Sequence, residues 1–210
     1  MFTIHATNIE KRFGQQTLFS GFDYSFQSPE SYALLGQNGS GKSTMLQLLY
    51  GYMLQKKGTI EWQLDGKKIE PDQVHQYIAF AAPYLELIEE LTTVEMMDYH
   101  FKFKKRLLGN NVILEKVGLV NAADKPIKHF SSGMKQRLKL ALAFFADTPA
   151  LFLDEPCTNL DANGVAIYKS LIEIHGQGRL IVLASNDETE YGFCQHKILL
   201  SQKTTGLTFA

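Results

Sequence analysis

The chain contains 210 residues, of which 45% are hydrophobic and 20% charged, and its formal net charge is −1. This length favours one folded unit, and the near-neutral charge argues against nucleic-acid binding through bulk positive charge. No run approaches the roughly 20 apolar residues that cross a bilayer, and the first residues lack the features of a signal peptide. The two cysteines, Cys157 and Cys194, give no disulfide framework, so we expect a reducing compartment.

The N-terminal part of the chain is predicted to be rich in strands. Alternating or continuous apolar residues indicate strands at Phe2–Asn8, Leu18–Phe26, Ser31–Leu35, Gly58–Leu64, Lys67–Ile69 and Gln76–Ala81. Asp65 and Gly66, between two of these strands, are a strong hairpin signal. Thr44–Tyr50 carries apolar residues at helical spacing and is predicted to be a helix.

Residues 84–145 differ in character and are predicted to form a helical insert between two halves of a sheet-centred core. A capping-box pattern at Thr92–Glu95 predicts a helix that runs to about Leu108. The basic segment Lys102–Arg106 falls within that helix, and we interpret it as a solvated helix face. Two further helices are predicted at Asn111–Val117 and Ser132–Phe145.

The sheet is predicted to resume at Ala150–Leu153, a short apolar run typical of a central parallel strand. A helix is predicted at Asp161–His175, and strands at Leu180–Ala184, Lys197–Leu200 and Thr204–Phe209. Because strands alternate with helices here, the sequence predicts a doubly wound α/β core.

A glycine-rich loop lies between the predicted strand Ser31–Leu35 and the helix that follows it. Its residues fit the pattern Gly, four residues, Gly-Lys-Ser, in which backbone N–H groups, a lysine ammonium and a helix N-terminus hold phosphate groups. The hydroxyl of Ser43 suits Mg²⁺, which prefers oxygen ligands. The candidate phosphate-binding residues are Gly36, Gln37, Asn38, Gly39, Ser40, Gly41, Lys42, Ser43 and Thr44.

Two carboxylates follow the predicted strand at residues 150–153. Ligands of open α/β sheets bind at the carboxyl ends of strands, so Asp154 and Glu155 are placed at the expected edge. Asp154 could hold Mg²⁺ through water, and Glu155 could polarise a water that attacks a γ-phosphate. The alternative is a pair of solvated carboxylates at the end of a strand.

The order of these motifs resembles the ATP-binding-cassette ATPases, the nucleotide-binding subunits of ABC transporters. Gly36–Ser43 is similar to Walker A, and Leu151–Glu155 is similar to Walker B with its catalytic glutamate. Phe130–Arg137 resembles the family's signature sequence, and Thr158–Asp161 resembles its D-loop. Phe13 falls where the family places an aromatic residue that stacks on adenine, although a lone Phe beside a strand is often a core residue.

The resemblance implies a P-loop NTPase core with a parallel sheet, an N-terminal antiparallel β subdomain and a helical signature subdomain, all in one ATPase domain over residues 1–210. It implies ATP and Mg²⁺ as cofactors, with Ser131, Ser132 and Gly133 facing the γ-phosphate bound by another subunit. The partners would be a second copy or a paralogue and an integral membrane permease, with no nucleic acid and no direct membrane insertion. The chain would lie in the cytoplasm, at the inner face of the cell membrane.

Three positions depart from the family pattern. The glutamine that enters the family's Q-loop is absent, with Pro83 or Tyr84 in its place, and Met134 replaces the signature's Gln. Asn186 occupies the position of the switch histidine, where it can donate a neutral hydrogen bond but cannot carry charge. His196 is too late in the chain to substitute and is predicted to cap or border the next strand.

These departures lead us to expect an ATPase of low activity, with Glu155, Lys42 and Asn186 as its catalytic residues, because losing one preorganised donor costs about 10²–10³ in rate. Two alternatives remain open from the sequence. One is a regulatory nucleotide-binding module with little hydrolysis, and the other is a soluble cassette ATPase with no transport role. The apolar residues of Tyr84–Leu91 fit either a groove for the membrane subunit or the core.

Overall fold

Two sheets organise the chain, and the computed structural model describes them over residues 1–200. The strand expected at Thr204–Phe209 lies outside the described residues. The strands are β1 (Phe2–Phe13), β2 (Gln16–Gln27), β3 (Ser31–Leu35), β4 (Lys57–Leu64), β5 (Lys67–Ile69), β6 (Ile78–Ala81), β7 (Ala150–Asp154), β8 (Leu180–Ala184) and β9 (His196–Leu199). The α-helices are α1 (Lys42–Leu49), α2 (Thr93–His100), α3 (Asn110–Lys116), α4 (Ser132–Phe144), α5 (Ala162–His175) and α6 (Glu188–Tyr191).

The first sheet is antiparallel and has the strand order β2-β1-β4-β5. The hairpin expected around Asp65 and Gly66 is confirmed by the pairing of β4 with β5. β1 and β2 are longer than predicted, because the chain continues through several register shifts up to the pair Phe13–Gln16. This sheet packs its apolar face on α1 and on one side of the second sheet.

The second sheet is parallel, with the order β6-β7-β8-β3-β9, and this confirms the α/β fold. Successive residues of β7 face opposite sides, as in any strand. Leu151 and Leu153 therefore join the core formed with the helices α2–α5, while Ala150 and Phe152 join the core shared with α1 and the antiparallel sheet. Since the strands run in parallel, the carboxyl ends of β3, β6, β7 and β8 lie along the same edge of the sheet.

The helix expected to reach Leu108 ends at His100, and the prediction for Lys102–Arg106 is wrong. The predicted start is confirmed, because Thr92 and Glu95 form both hydrogen bonds of the capping box. Beyond Phe103 the backbone pairs with the segment after α4 instead of with its own preceding turn: Leu107 N donates to Phe145 O at 2.9 Å and Asp147 N to Lys105 O at 2.8 Å.

The basic segment is accordingly not a uniformly solvated face. The side chain of Lys104 turns inward and donates a hydrogen bond to the carbonyl of Ile78 on β6. Burial lowers the pKa of Lys104 to about 8. Within residues 1–200, none of the helices has the length and apolar character needed to cross a membrane.

Candidate nucleotide-binding site

The glycine loop connects β3 to α1 at the shared edge of the parallel sheet. Gly41 is the N-cap of α1 and has a φ of 99°, in the region that favours glycine. A Cβ on Gly41 would lie 2.6 Å from Leu18 Cδ2, so β2 of the antiparallel sheet closes tightly over the loop. The Nζ of Lys42 donates to the carbonyl oxygens of Gly36 and Gln37, at 2.7 and 3.3 Å. The loop therefore places the ammonium of Lys42 against the backbone at the N-terminus of α1, where phosphate groups typically bind.

Asp154 ends β7 beside this loop and is only 2% exposed. Burial raises the pKa of its carboxyl group, whereas the hydroxyls of Ser43 and Tyr84 and the charge of Lys42 act in the opposite direction. One carboxylate oxygen, Oδ2, is buried without a hydrogen-bond partner among the described residues. A carboxylate oxygen of this kind next to the Ser43 hydroxyl suits Mg²⁺, which favours oxygen ligands and usually binds through one or two carboxylates. The residues present thus fit the cation that the sequence predicted.

Glu155 follows in a left-handed conformation, with a φ of 41°. Such a conformation costs about 1–3 kcal/mol for a residue other than glycine, and it is held here by the bond from Glu155 N to Ala184 O at 2.9 Å. The carboxylate accepts a hydrogen bond from Thr158 Oγ1 at 3.4 Å.

Asn186, the second residue after the end of β8, reaches the phosphate loop. Its Nδ2 donates to Asn38 Oδ1 at 3.0 Å, so the structure joins two residues that the sequence analysis had placed in the site on separate grounds. Both residues line a cavity of about 440 Å³ together with Glu155, Thr158 and Ser185. Glu155 and Asn186 therefore border one open volume.

The signature residues lie at the N-terminus of α4 and pack on the loop after β7. Ser131 caps the helix by accepting a hydrogen bond from Met134 N at 3.2 Å, and Ser132 begins the helix. A Cβ on Gly133 would lie 2.9 Å from the carbonyl oxygen of Asn159, so only glycine allows this close approach without a shift. The signature and the segment resembling the D-loop thus form one packed unit.

Phe13 stands apart from these groups. Its side chain is 53% exposed at the end of the β1–β2 hairpin, with the ammonium of Lys11 at 5.2 Å from the ring centroid. Among the described residues, no hydrogen bond or aromatic contact joins it to the phosphate loop. The exposed ring rules out the interpretation of Phe13 as a core residue and leaves its proposed role in adenine stacking untested.

Sequence reasoning missed residues that support the site from a distance. Glu190, on α6, accepts a hydrogen bond from Cys157 N at 2.7 Å, and its carboxyl pKa is raised mainly by burial. Gln136, buried on α4, donates to Pro156 O at 2.8 Å. No spacing pattern marked either residue, because each contact joins segments at least 20 residues apart. His196 borders β9 as predicted, where it pairs with Glu30 at 3.0 Å.

A strand, glycine loop and helix, with paired carboxylates at the end of an adjacent strand, define a P-loop nucleotide-binding protein of the α/β class. Residues 19–158 match the family model described as "ABC transporter", and the chain belongs to that family. It is an ATP-binding subunit of an ABC transporter, and the family as a whole hydrolyses ATP.

Curated relatives match along nearly all of the chain. The cytochrome c biogenesis ATP-binding export protein CcmA of Haemophilus influenzae is 28% identical, over 93% of this chain and 94% of its own. The lantibiotic transport ATP-binding protein SrtF of Streptococcus pyogenes is 30% identical, over 95% and 90%. An uncharacterised ABC transporter ATP-binding protein of Bacillus subtilis, YybJ, is 31% identical, over 89% and 87%.

Solved structures share the fold at lower identity. An ATP-binding subunit of an ABC transporter superimposes with a TM-score of 0.83 at 22% identity, covering 98% of this chain and 89% of the other. A dimeric ATP-binding cassette in a post-hydrolysis state, bound to ADP and Pi, superimposes with a TM-score of 0.82 at 20% identity, with 98% of both chains covered.

Proposed function

We propose that this chain binds ATP with Mg²⁺ between two cassettes and hydrolyses it slowly to drive a membrane permease. The observation that carries the proposal is the unpartnered, buried Oδ2 of Asp154 beside Ser43 and the phosphate loop. A buried carboxylate oxygen without a partner is costly, and a divalent cation would compensate it. The described residues act in this proposal as one ATPase unit, with the helices α2–α4 inserted between β6 and β7.

Each residue of the site has a distinct task in this proposal. The N–H groups of residues 36–44 and the ammonium of Lys42 hold the phosphates, and Ser43 and Asp154 hold the cation, whose charge would offset that of the phosphates. Glu155 orients and polarises the attacking water from its position beside the 440 Å³ cavity. Asn186 donates a neutral hydrogen bond to the terminal phosphate, for which it would exchange its bond to Asn38.

A second copy, or a paralogue, completes the site in trans. The hydroxyls of Ser131 and Ser132 and the free N–H groups at the start of α4 form an anion site. The 13-residue length of α4 supports a full helix dipole at that end. Gly133 and Asn159 pack together, so the D-loop would move with the signature when two copies close on ATP.

Slow hydrolysis is the part of the proposal that rests on this chain's own substitutions. Asn186 offers no positive charge where the family places histidine, and the described loop after β6 offers the Tyr84 hydroxyl instead of an amide. Since Glu155 is intact, the chain remains an enzyme, and the observation that would favour a regulatory module is the absence of phosphate release.

The permease would dock on an aromatic groove between the core and the helical insert. This groove has a volume of about 570 Å³, and its walls include Tyr50, Tyr52, Phe80, Tyr84 and Lys104. Docking there would keep the chain on the cytoplasmic face of the membrane, and none of the helices in residues 1–200 is long and apolar enough to cross it.

Part of the adjoining segment supports this docking surface. Of its apolar residues, Leu85 and Ile88 are 37% and 40% exposed, whereas Leu87 and Leu91 pack against the core. The core interpretation therefore holds for Leu87 and Leu91, and the groove for a membrane subunit stays a proposal that the exposure of Leu85 and Ile88 supports.

The test is steady-state phosphate release by the parent and by Glu155→Gln. We expect the variant to lose about 10²–10⁴ in rate, because it lacks the carboxylate that accepts a proton from water. It should also retain an ATP-bound dimer in gel filtration for longer than the parent does. Glu188→Gln, at an exposed position on α6, is the matched control and should behave like the parent. Equal turnover in parent and Glu155→Gln would remove Glu155 from the mechanism.

A further inference from the structure

The peptide group between Pro156 and Cys157 is held at both of its polar ends by side chains. Its carbonyl oxygen, which belongs to Pro156, accepts a hydrogen bond from Nε2 of Gln136 at 2.8 Å. Its N–H group, which belongs to Cys157, donates to Oε1 of Glu190 at 2.7 Å. Since a planar peptide group has one donor and one acceptor, the two contacts occupy both and fix its orientation.

Both of the side chains that hold this peptide group are buried. Gln136 is 2% exposed and Glu190 is 4% exposed. The backbone of Glu190 is anchored as well, because the Tyr168 hydroxyl on α5 donates to its carbonyl oxygen at 2.8 Å. A buried polar group that loses its partner is costly to leave unpaired, so each contact ties its own element firmly to the peptide group.

The two elements also carry residues of the candidate site. Gln136 lies on α4 one turn after Ser132, and residues four apart share a face of a helix. Glu190 lies on α6, four residues after Asn186. The start of the signature helix and the turn that carries Asn186 are therefore joined through a single peptide group.

This peptide group lies one residue beyond Glu155. The φ of Glu155 is 41°, a conformation that persists in a residue other than glycine only when its surroundings impose it. On one side, the bond from Glu155 N to Ala184 O fixes the backbone. On the other, the ring of Pro156 fixes its own φ, so few rotations separate Glu155 from the held peptide group. Holding that group therefore restricts the backbone from which the Glu155 carboxylate projects.

We propose that Gln136 and Glu190 are positioning residues that hold the Pro156–Cys157 peptide group and so keep the Glu155 carboxylate aimed at the attacking water. This inference rests on the proposed function, in which Glu155 polarises that water. A displacement of about 1 Å at a reacting group can lower a rate by about 100-fold. Because Gln136 is part of α4, a shift of the signature helix would reach Glu155 through the same peptide group.

Gln136→Met and Glu190→Met test the proposal, because each removes a partner of the peptide group and keeps an unbranched side chain of similar length. The measurement is phosphate release over a range of ATP concentrations with Mg²⁺. We expect kcat to fall about 10- to 100-fold in each variant while KM changes little, since the phosphate loop is untouched. Glu190→Gln keeps an acceptor for Cys157 N and should restore kcat to near the value of the parent.

Thr93→Val is the matched control for the loss of a buried hydrogen bond. The hydroxyl of Thr93, at the start of α2, is buried and donates to the carbonyl oxygen of Ala122 at 2.6 Å, away from Glu155 in the chain. Urea titration of every variant separates a loss of folded protein from a loss of rate. Thr93→Val should lose stability and keep the kcat of the parent. An equal fall in kcat for Thr93→Val and Gln136→Met would reduce the effect to destabilisation and overturn the positioning role.

Combination with Glu155→Gln shows whether the effect passes through Glu155. The rates are compared in a single-turnover assay with labelled ATP, which resolves slow hydrolysis. Gln136→Met should lower the residual rate of Glu155→Gln far less than it lowers the rate of the parent, because the carboxylate that it positions is already absent. The same fold-loss in both backgrounds would contradict the proposal.

The outcomes separate this inference from the function on which it depends. If the parent releases phosphate and both methionine variants keep its kcat, the positioning role is overturned and the proposed function stands. If the parent releases no phosphate in either assay, both are overturned.

Discussion

The phosphate loop and the opposite side of the candidate site are assembled in different ways. On the first side, residues 31–49 are one continuous segment in which a strand, the glycine loop and a helix follow one another. On the second, Asn186 comes from the end of β8 and Tyr84 from the loop after β6, and each is positioned by a hydrogen bond to a residue of the phosphate-loop region. Neighbouring residues thus build the phosphate loop, whereas tertiary contacts bring Asn186 and Tyr84 to its surroundings.

The largest effect is expected from restoring histidine, the family's residue, at position 186. We expect Asn186→His to raise phosphate release by about 10²-fold, because an added charged donor at the terminal phosphate is worth that much in comparable sites. Nucleotide affinity should change far less, since the phosphate loop is untouched. The measurement is steady-state turnover at saturating ATP with Mg²⁺.

Asn121→His provides the matched control, at an exposed asparagine in the helical region. It should leave turnover unaltered. A rate for Asn186→His no higher than that of the parent would show that Asn186 does not limit hydrolysis, and the slow-hydrolysis proposal would lose its main support.

A smaller effect is expected at Glu190, whose carboxyl group supports the candidate site by accepting the hydrogen bond from Cys157 N. Burial raises the pKa of its carboxyl above the ordinary value of 4.5, so the folded chain keeps this proton at pH values where the unfolded chain has released it. The stabilisation from the protonated form is therefore complete below about 4.5 and is lost as pH rises through the folded pKa. Glu190→Gln keeps an oxygen acceptor for Cys157 N and cannot ionise.

The free energy of unfolding of parent and Glu190→Gln should be compared by urea titration from pH 4 to pH 8. Relative to the variant, the parent should lose stability as pH rises, with the change concentrated above 4.5. A difference between the two proteins that stays constant across this range would contradict the buried, protonated state inferred for Glu190.

The sequence was informative wherever the determining residues are neighbours. The glycine loop, the Thr92–Glu95 capping box and the apolar run at β7 each carry their own structural cause within a few residues. Their outcomes match the predictions because no distant segment competes with them. The same holds for the parallel sheet, whose short apolar strands alternate with amphipathic helices.

The sequence predictions were wrong or incomplete where a residue far away in the chain determines the local structure. The helix at Thr92 was expected to continue to Leu108, but Arg106 instead forms a bridge with Ala146. Helical spacing within the segment gave no sign of that partner. The same reason explains why the Gln47–Tyr84 and Glu190–Cys157 contacts were missed, since neither leaves a periodic trace in the sequence.

The central claim is that the phosphate loop around Lys42 binds a triphosphate together with a divalent cation, and calorimetry tests it directly. In a Glu155→Gln background, which would not consume the ligand, we expect ATP with Mg²⁺ to release measurable heat on binding. Adding Lys42→Ala should weaken the affinity by about 10- to 100-fold, because charged hydrogen bonds contribute about 1.5–3 kcal/mol. Adding Lys56→Ala, at an exposed lysine, should not change it. No heat of binding, or equal affinities with Lys42→Ala and Lys56→Ala, would contradict the account.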